Sequence, residues 1–286
     1  MSERLRIWLL LTPDLFVILV LFAGGLLLGL LQSLNYFPLI GETNLNFNAY
    51  TDIFQSKSFT TSFILTFKIA FISTFLATIL AVIVALVLRE TFIGKRIMTF
   101  IFQLNLPIPH IVGAVALAEL LSQSGLLARI AAVFGLIHDP SEFPVLVFDP
   151  EGYGIIAEYI WKEVPFIGTI LLAVLHSIGP EYEELARSLG ANRWQRFRHV
   201  LLPLMMPGIL SASVIVFAFV FGAFEIPFFL GVTYPQALPV LAYQSYSDVD
   251  LHARPQAMAM SMIIAAMITV LVYFYMRLSR QYVRSE

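Results

Sequence analysis

Cysteine is absent from the 286 residues, which excludes disulfides, thiolate metal sites and cysteine nucleophiles. Charge is scarce as well: Asp, Glu, Lys and Arg make up 13% of the chain, about half the share of an ordinary globular domain. The net charge of −2 says little about partners, and no nucleic acid is expected. No His-Glu-x-x-His pair is present, so the usual zinc-protease helix is missing. A phosphate-cradling Gly-x-x-x-x-Gly-Lys-[Ser/Thr] loop is missing too, because Arg89 occupies the place of the upstream glycine before Gly94-Lys95. The chain is therefore not expected to hydrolyse ATP by itself. Alternation of apolar and polar residues is lacking in the apolar runs, which argues against a membrane β-barrel.

What the chain has is apolar length. Hydrophobic residues make up 59% of it and the mean hydropathy is +0.84, values that place it in a membrane before any motif is read. Six stretches meet the roughly 20-residue requirement for a membrane-crossing helix: about 12–33, 61–88, 98–122, 153–178, 208–232 and 256–276. The expected fold is all-α, one membrane domain over 1–286. The first run is too long for a signal-peptide core and is expected to remain as an anchor. Thr12-Pro13-Asp14 is expected to cap its start, with 1–11 as a short interfacial helix. Gly25 and Gly29 have the spacing of a close helix contact. Pro107-Ile108-Pro109-His110 must break the third span, and broken backbone at membrane depth survives only inside protein or beside a cavity.

Lys and Arg distribute unevenly. With the N-terminus inside, the inner segments hold Arg4, Arg6, Arg89, Lys95, Arg96, Arg187, Arg193, Arg196, Arg198, Arg277, Arg280 and Arg284. The outer ones hold Lys57, Arg129 and Arg254. The bias predicts that both termini are cytoplasmic.

The most charged stretch, 180–207, lies between the fourth and fifth spans. Glu181, Glu183 and Glu184 suit a helix N-terminus. Gly190 then permits a sharp turn, and a second short helix is expected from about Asn192 towards Pro203. Glu184-Leu185-Ala186, Gly190-Ala191 and Val200-Leu201-Leu202-Pro203 have the spacing of a known pattern. The segment resembles the cytoplasmic "EAA" loop of permease subunits of type I ABC importers, with Leu185 in place of an alanine and Val200 in place of an isoleucine.

That resemblance implies a six-helix permease fold with a cytoplasmic coupling-helix elbow. It implies a second permease subunit, identical or homologous, and two ATPase subunits that hold ATP and Mg while this chain holds no cofactor. It further implies an extracytoplasmic substrate-binding protein and a place in the lipid of a bacterial inner membrane. Glu184, Leu185, Ala186, Gly190 and Ala191 would couple to the ATPase: Glu184 through a basic partner, Ala186 by close approach, and Gly190 with Ala191 as the turn. Arg193, Arg196 and Arg198 carry two readings, ATPase contact or attachment to anionic lipid.

Ionisable residues inside spans are costly and mark pathways or internal pairs. Lys68, Glu119, Glu158, Lys162, Glu163 and Glu225 all fall in the expected outer half of the membrane. Glu225, Glu163, Glu119 and Trp161 are the candidate pathway residues, although Trp161 equally suits the interfacial belt. Internal pairing is the competing reading, Glu158 with Lys162 at i,i+4 and Lys68 with Glu225 or Glu163. His110 is expected to be packed and hydrogen-bonded. The acidic surplus favours a cationic or hydroxyl-rich solute over an anion, and the layout is most similar to polyamine (spermidine or putrescine) permeases; iron, thiamine, phosphonate, sugar and inorganic-anion permeases compete. Two other classes stand beside the importer: an ATP-independent channel or secondary transporter, and a membrane enzyme.

Overall fold

In the computed structural model, residues 3–90 and 92–283 are described, with side chains from 7 to 277. Met1, Ser2, Thr91 and 284–286 lie outside the description, as do the side chains of Arg4, Arg6 and Arg280, so the inner-face reading of those arginines is not addressed. The helices in order are α1 (Glu3–Val17), α2 (Gly24–Ser33), α3 (Asn48–Gln55), α4 (Lys57–Arg89), α5 (Lys95–Gln103), α6 (His110–Leu121) and α7 (Leu126–Val133). They continue with α8 (Tyr153–Ile178), α9 (Glu181–Ser188), α10 (Arg193–Arg196), α11 (Leu202–Gly222), α12 (Glu225–Leu230), α13 (Leu238–Tyr246) and α14 (Arg254–Val283). Among the described residues, five helical stretches are long and apolar enough to cross a membrane, and the α8–α9 pair, bent by 65°, makes six. The all-helical membrane fold expected from composition is the fold observed.

The chain forms two compact units, Met1–Thr60 with Leu238–Ala266, and Thr61–Ala237 with Met267–Glu286. In the first, α1 runs through Pro13 rather than starting there, and Thr12 Oγ1 donates to the Trp8 carbonyl at 2.7 Å instead of capping. The expected interfacial segment is thus continuous with the first span. A π-helical stretch, Ile18–Ala23, joins α1 to α2. Apolar side chains from Ile7 to Phe22 are exposed on all sides, as expected of a helix whose solvent is lipid. Gly29 receives the Met262 Cε methyl, which a Cβ would meet at 3.3 Å, whereas Gly25 makes no such contact. The Gly-x-x-x-Gly spacing therefore marks one contact position, not two.

The second unit is organised around α8. Ile155, Tyr159, Glu163, Ile167, Leu171 and Leu175 recur every four residues and are all buried, one continuous stripe along the helix. It packs against α5, α6, α11 and α12. On α4, Ala70, Ala77, Ala81 and Ala85 are fully buried, a small-residue seam that allows close backbone approach where lipid gives no hydrophobic drive. The hydroxyls of Thr66 and Ser73 donate to the Ser62 and Ile69 carbonyls, so these polar groups are satisfied within their own helix.

Two spans differ from the sequence reading. The third run of 98–122 divides at Leu104–Pro109 into α5 and α6, and the long apolar segment is His110–Val133. The fifth starts earlier and ends earlier than 208–232. α10, a π-helical turn (Phe197–Leu201) and α11 are continuous from Arg193 to Gly222, passing Pro203 and Pro207. There is accordingly no separate short helix ending at Pro203. Pro203 directly follows the π-helical turn, a local adjustment of the kind that lets membrane helices accommodate proline.

Candidate functional site

The elbow is built by local capping. Gly179 has φ +74° and breaks α8, and Pro180 precedes α9, whose first turn holds Glu181, Glu183 and Glu184. At its far end the Gly190 N–H donates to the Arg187 carbonyl and the Ala191 N–H to the Ala186 carbonyl, both at 3.0 Å. This is the Schellman arrangement, and Gly190 at φ +85° supplies the left-handed residue it requires. Asn192 Oδ1 then accepts from the Gln195 N–H at 2.9 Å, while Gln195 Oε1 accepts from the Asn192 N–H at 2.8 Å. That capping box starts α10. The turn residues at Ala186, Gly190 and Ala191 thus have a backbone reason for their spacing.

The two faces of α9 differ. Glu184 and Leu185 point outward, and Leu185 is joined by exposed Tyr182, Leu189 and Trp194 in an apolar ridge. Ala186 and Glu183 are half-buried on the inward face. Glu183 is a residue the sequence reading left as one acid among three. Its Oε2 lies 2.7 Å from Arg89 Nη2 and its Oε1 3.2 Å from Arg196 Nε. Arg196 is therefore engaged internally, while Arg193 and Arg198 are exposed.

The second cluster sits where α5 gives way to α6. Pro109 has no N–H for the Asn105 carbonyl, and Pro165 has none for the Trp161 carbonyl, because each proline lies four residues on. Lys162 Nζ donates to the carbonyls of Asn105 at 2.8 Å and Ile108 at 2.5 Å. Asn105 Nδ2 donates to the Trp161 carbonyl at 2.6 Å. The break is satisfied by buried protein groups, as membrane depth demands. Beside it His110 Nε2 lies 3.2 Å from Glu163 Oε1, with the Phe219 ring 5.0 Å from the imidazole. His110 is packed and hydrogen-bonded, as expected.

Several expected pairings take other partners. Lys162 serves carbonyls rather than forming an ion pair with Glu158. Lys68 pairs with Glu151, not with Glu225 or Glu163. Glu158 is fully buried, and neither carboxyl oxygen has a hydrogen-bond partner among the described residues. Its neighbour across the helix interface is Gly113, where an added Cβ would lie 2.6 Å from Trp161 Cζ3 and 3.2 Å from Glu158 Oε1.

Of the four candidate pathway residues, Glu163 is buried and taken by His110. Glu119, Trp161 and Glu225 are exposed. Glu225 does not lie along a continuous fifth helix; the chain breaks at Ala223–Phe224 and Glu225 opens α12. Two of the acids behind the expected surplus, Glu158 and Glu163, are thus withdrawn from any solute-facing surface.

A bundle of membrane-crossing helices with an outward-facing capped elbow between two of them defines a membrane permease. The chain belongs to the family of binding-protein-dependent transport system inner membrane components, whose model matches residues 77–285. It is 26% identical over 185 residues to the sulfate transport system permease protein CysT of Salmonella typhimurium, covering 65% of this chain and 63% of that protein. It thus spans a little under two thirds of the relative's length. It is also 26% identical over 165 residues to a probable molybdenum ABC transporter permease protein of Haloferax volcanii, covering 58% of this chain and 56% of that one. A bacterial ABC transporter involved in import of the acidic polysaccharide alginate has the same fold, with TM-score 0.80 and 22% identity over 98% of this chain and 96% of that one. The alginate transporter is also known in complex with an alginate pentasaccharide-bound periplasmic protein, TM-score 0.81 at 21% identity over 96% and 94% of the two chains.

Proposed function

We propose that this chain is the permease subunit of an ATP-driven, binding-protein-dependent importer of an oxyanion of the sulfate or molybdate class. The observation that carries the permease reading is the elbow. A Schellman turn followed by a capping box holds α9 rigid and leaves Glu184, Leu185, Leu189 and Trp194 outward as a docking ridge. Large apolar side chains exposed together at a capped elbow, Tyr182, Leu185 and Leu189 with Trp194 of α10, suit a protein partner. The partner is a separate ATPase that binds ATP and Mg. A second permease subunit completes the pathway, and a binding protein delivers solute on the opposite face. The elbow and both termini lie in the cytoplasm, on the side where Lys and Arg concentrate. A channel working without ATP leaves the elbow unexplained.

The substrate class rests on two supports. Relatives that align with more than half of the chain are named for sulfate and molybdenum transport. Two of the four acids that favoured a polyamine are withdrawn, since Glu163 is bound to His110 and Glu158 is sealed against Gly113, which removes the acidic surplus over the two lysines. The polyamine reading is therefore replaced by the inorganic-anion one. Uptake of labelled sulfate, molybdate and spermidine in cells with and without the gene tests this. Loss of sulfate or molybdate uptake on deletion, restored by the intact chain, supports it; loss confined to spermidine refutes it.

A further inference from the structure

Glu183 joins three membrane-crossing segments at one point. It sits in the first turn of α9, which follows α8 across the Gly179 bend. One carboxylate oxygen meets Arg89, the last residue of α4. The other lies 3.2 Å from Arg196 Nε on α10, an ion pair by distance without hydrogen-bond alignment, and α10 continues without interruption into α11. All three side chains are largely covered, with exposures of 16% for Arg89, 22% for Glu183 and 19% for Arg196. Partly desolvated charges attract more strongly and are screened less than surface pairs. Arg89 is itself fixed, because Lys95 Nζ donates to its carbonyl at 3.1 Å.

The middle of the α4–α11 interface has a different character. Phe67 and Phe217 meet edge-on at 5.9 Å between ring centroids, and Thr78 and Ser213 share a hydrogen bond of 2.9 Å. Around them lies an apolar groove of about 460 Å³ bordered by Phe71, Phe75, Thr74 and Leu210. The groove opens at the surface, where Phe67, Phe71 and Phe75 are exposed. The charged tie at the elbow end is thus distinct from the aromatic and hydroxyl contacts further along the two helices.

We infer that Glu183 is the positioning residue that converts displacement of α9 into movement of α4 and α11. This rests on the permease reading above. Glu183 does not contact the ATPase; the docking face is the outward ridge, and Glu183 faces inward. When the ATPase carries α9 along, the Arg89–Glu183–Arg196 junction carries the ends of both spans with it. Without the junction α9 still docks and moves, and the spans no longer follow.

The test uses the complete assembly of permease, ATPase and binding protein in lipid nanodiscs and proteoliposomes, comparing wild type with Glu183→Gln, Arg89→Gln and the double variant. ATPase content, ATP hydrolysis and solute moved per ATP are measured together. The expected result for Glu183→Gln is full ATPase content, basal hydrolysis within about twofold of wild type, and roughly a tenfold or greater fall in solute moved per ATP. Arg89→Gln should show the same defect, and the double variant should be no worse than either single one. Unchanged solute per ATP overturns the inference. Loss of ATPase from the assembly in step with transport also overturns it, since Glu183 would then be a docking residue. A wild-type preparation that recovers no ATPase refutes the permease reading itself, which separates that failure from this one. Thermal stability of each variant in detergent, expected to stay close to wild type, distinguishes uncoupling from unfolding.

Discussion

Lys162 donates to the Asn105 carbonyl at 2.8 Å, and Asn105 in turn donates through its side chain to the Trp161 carbonyl at 2.6 Å. Both carbonyls lie four residues before a proline, Pro109 and Pro165. The break before α6 and the missing N–H of Pro165 within the continuous α8 are thus repaired reciprocally, each by a residue from the neighbourhood of the other. Lys162, which reads from sequence as the i,i+4 partner of Glu158, is a donor to backbone carbonyls.

Replacing Lys162 with Met leaves the Ile108 carbonyl without its buried donor and the Asn105 carbonyl with the Ile108 N–H alone. The expected loss is about 2–3 kcal/mol, seen as a lower melting temperature in detergent. A variant as stable as wild type would show that the carbonyls find other donors.

Asn105→Ala should destabilise less in a Pro165→Ala background, because the substituted residue brings its own N–H to the Trp161 carbonyl. The expected coupling between the two changes is about 1 kcal/mol. Additive effects would separate the two residues.

Gly113→Ala places a methyl 2.6 Å from Trp161 Cζ3. Overpacking of this kind costs about 1–3 kcal/mol, and shortening the opposing ring with Trp161→Leu should recover most of it. Failure of the second change to rescue would place the strain elsewhere.

Glu158 is buried with both oxygens unpartnered among the described residues, so it should contribute nothing favourable to the fold. Glu158→Gln is expected to hold or raise the melting temperature, because an uncharged amide is cheaper to bury. A marked fall would mean that a partner chain pairs with this carboxylate.

In the 137–142 loop, Asp139 accepts from the Ser141 hydroxyl and the Ser141 N–H, and these bonds lower its pKa below the ordinary carboxylate value. A group with a depressed folded pKa contributes above its unfolded pKa and loses that contribution as pH falls through the folded one. Protection of the Ser141 amide from hydrogen exchange should therefore persist at neutral pH and fade only in acid. Asp139→Asn should flatten that dependence; an unchanged profile would assign the protection to something else.

Much of the architecture was legible because it depends on local pattern. The fourth span was read at 153–178 and α8 covers Tyr153–Ile178, since apolar length and a flanking glycine at each end fix it. The elbow was legible for the same reason, as Gly190, Asn192 and the early glutamates are short-range signals. Non-local partners were not legible. Nothing in spacing shows that Glu183 meets Arg89, that Lys68 meets Glu151, or that Lys162 finds the Asn105 carbonyl. Proline misleads at Pro13 and Pro203, which lie within continuous helices, and reads correctly at Pro107 and Pro109, which accompany the expected break. The difference lies in whether neighbouring groups are available to satisfy the freed backbone.

The outward side chains of α9 are expected to dock a separate ATPase. Because the chain contains no cysteine, Leu185→Cys creates a single labelling site at a position that is 62% exposed. A short bifunctional crosslinker applied to native membranes, followed by mass spectrometry of the adduct, reads out what lies against it. A crosslink to an ATPase subunit, lost when Gly190→Val disrupts the turn, is the predicted result. A residue 185 that reacts freely and yields no ATPase adduct in transport-competent membranes would contradict it.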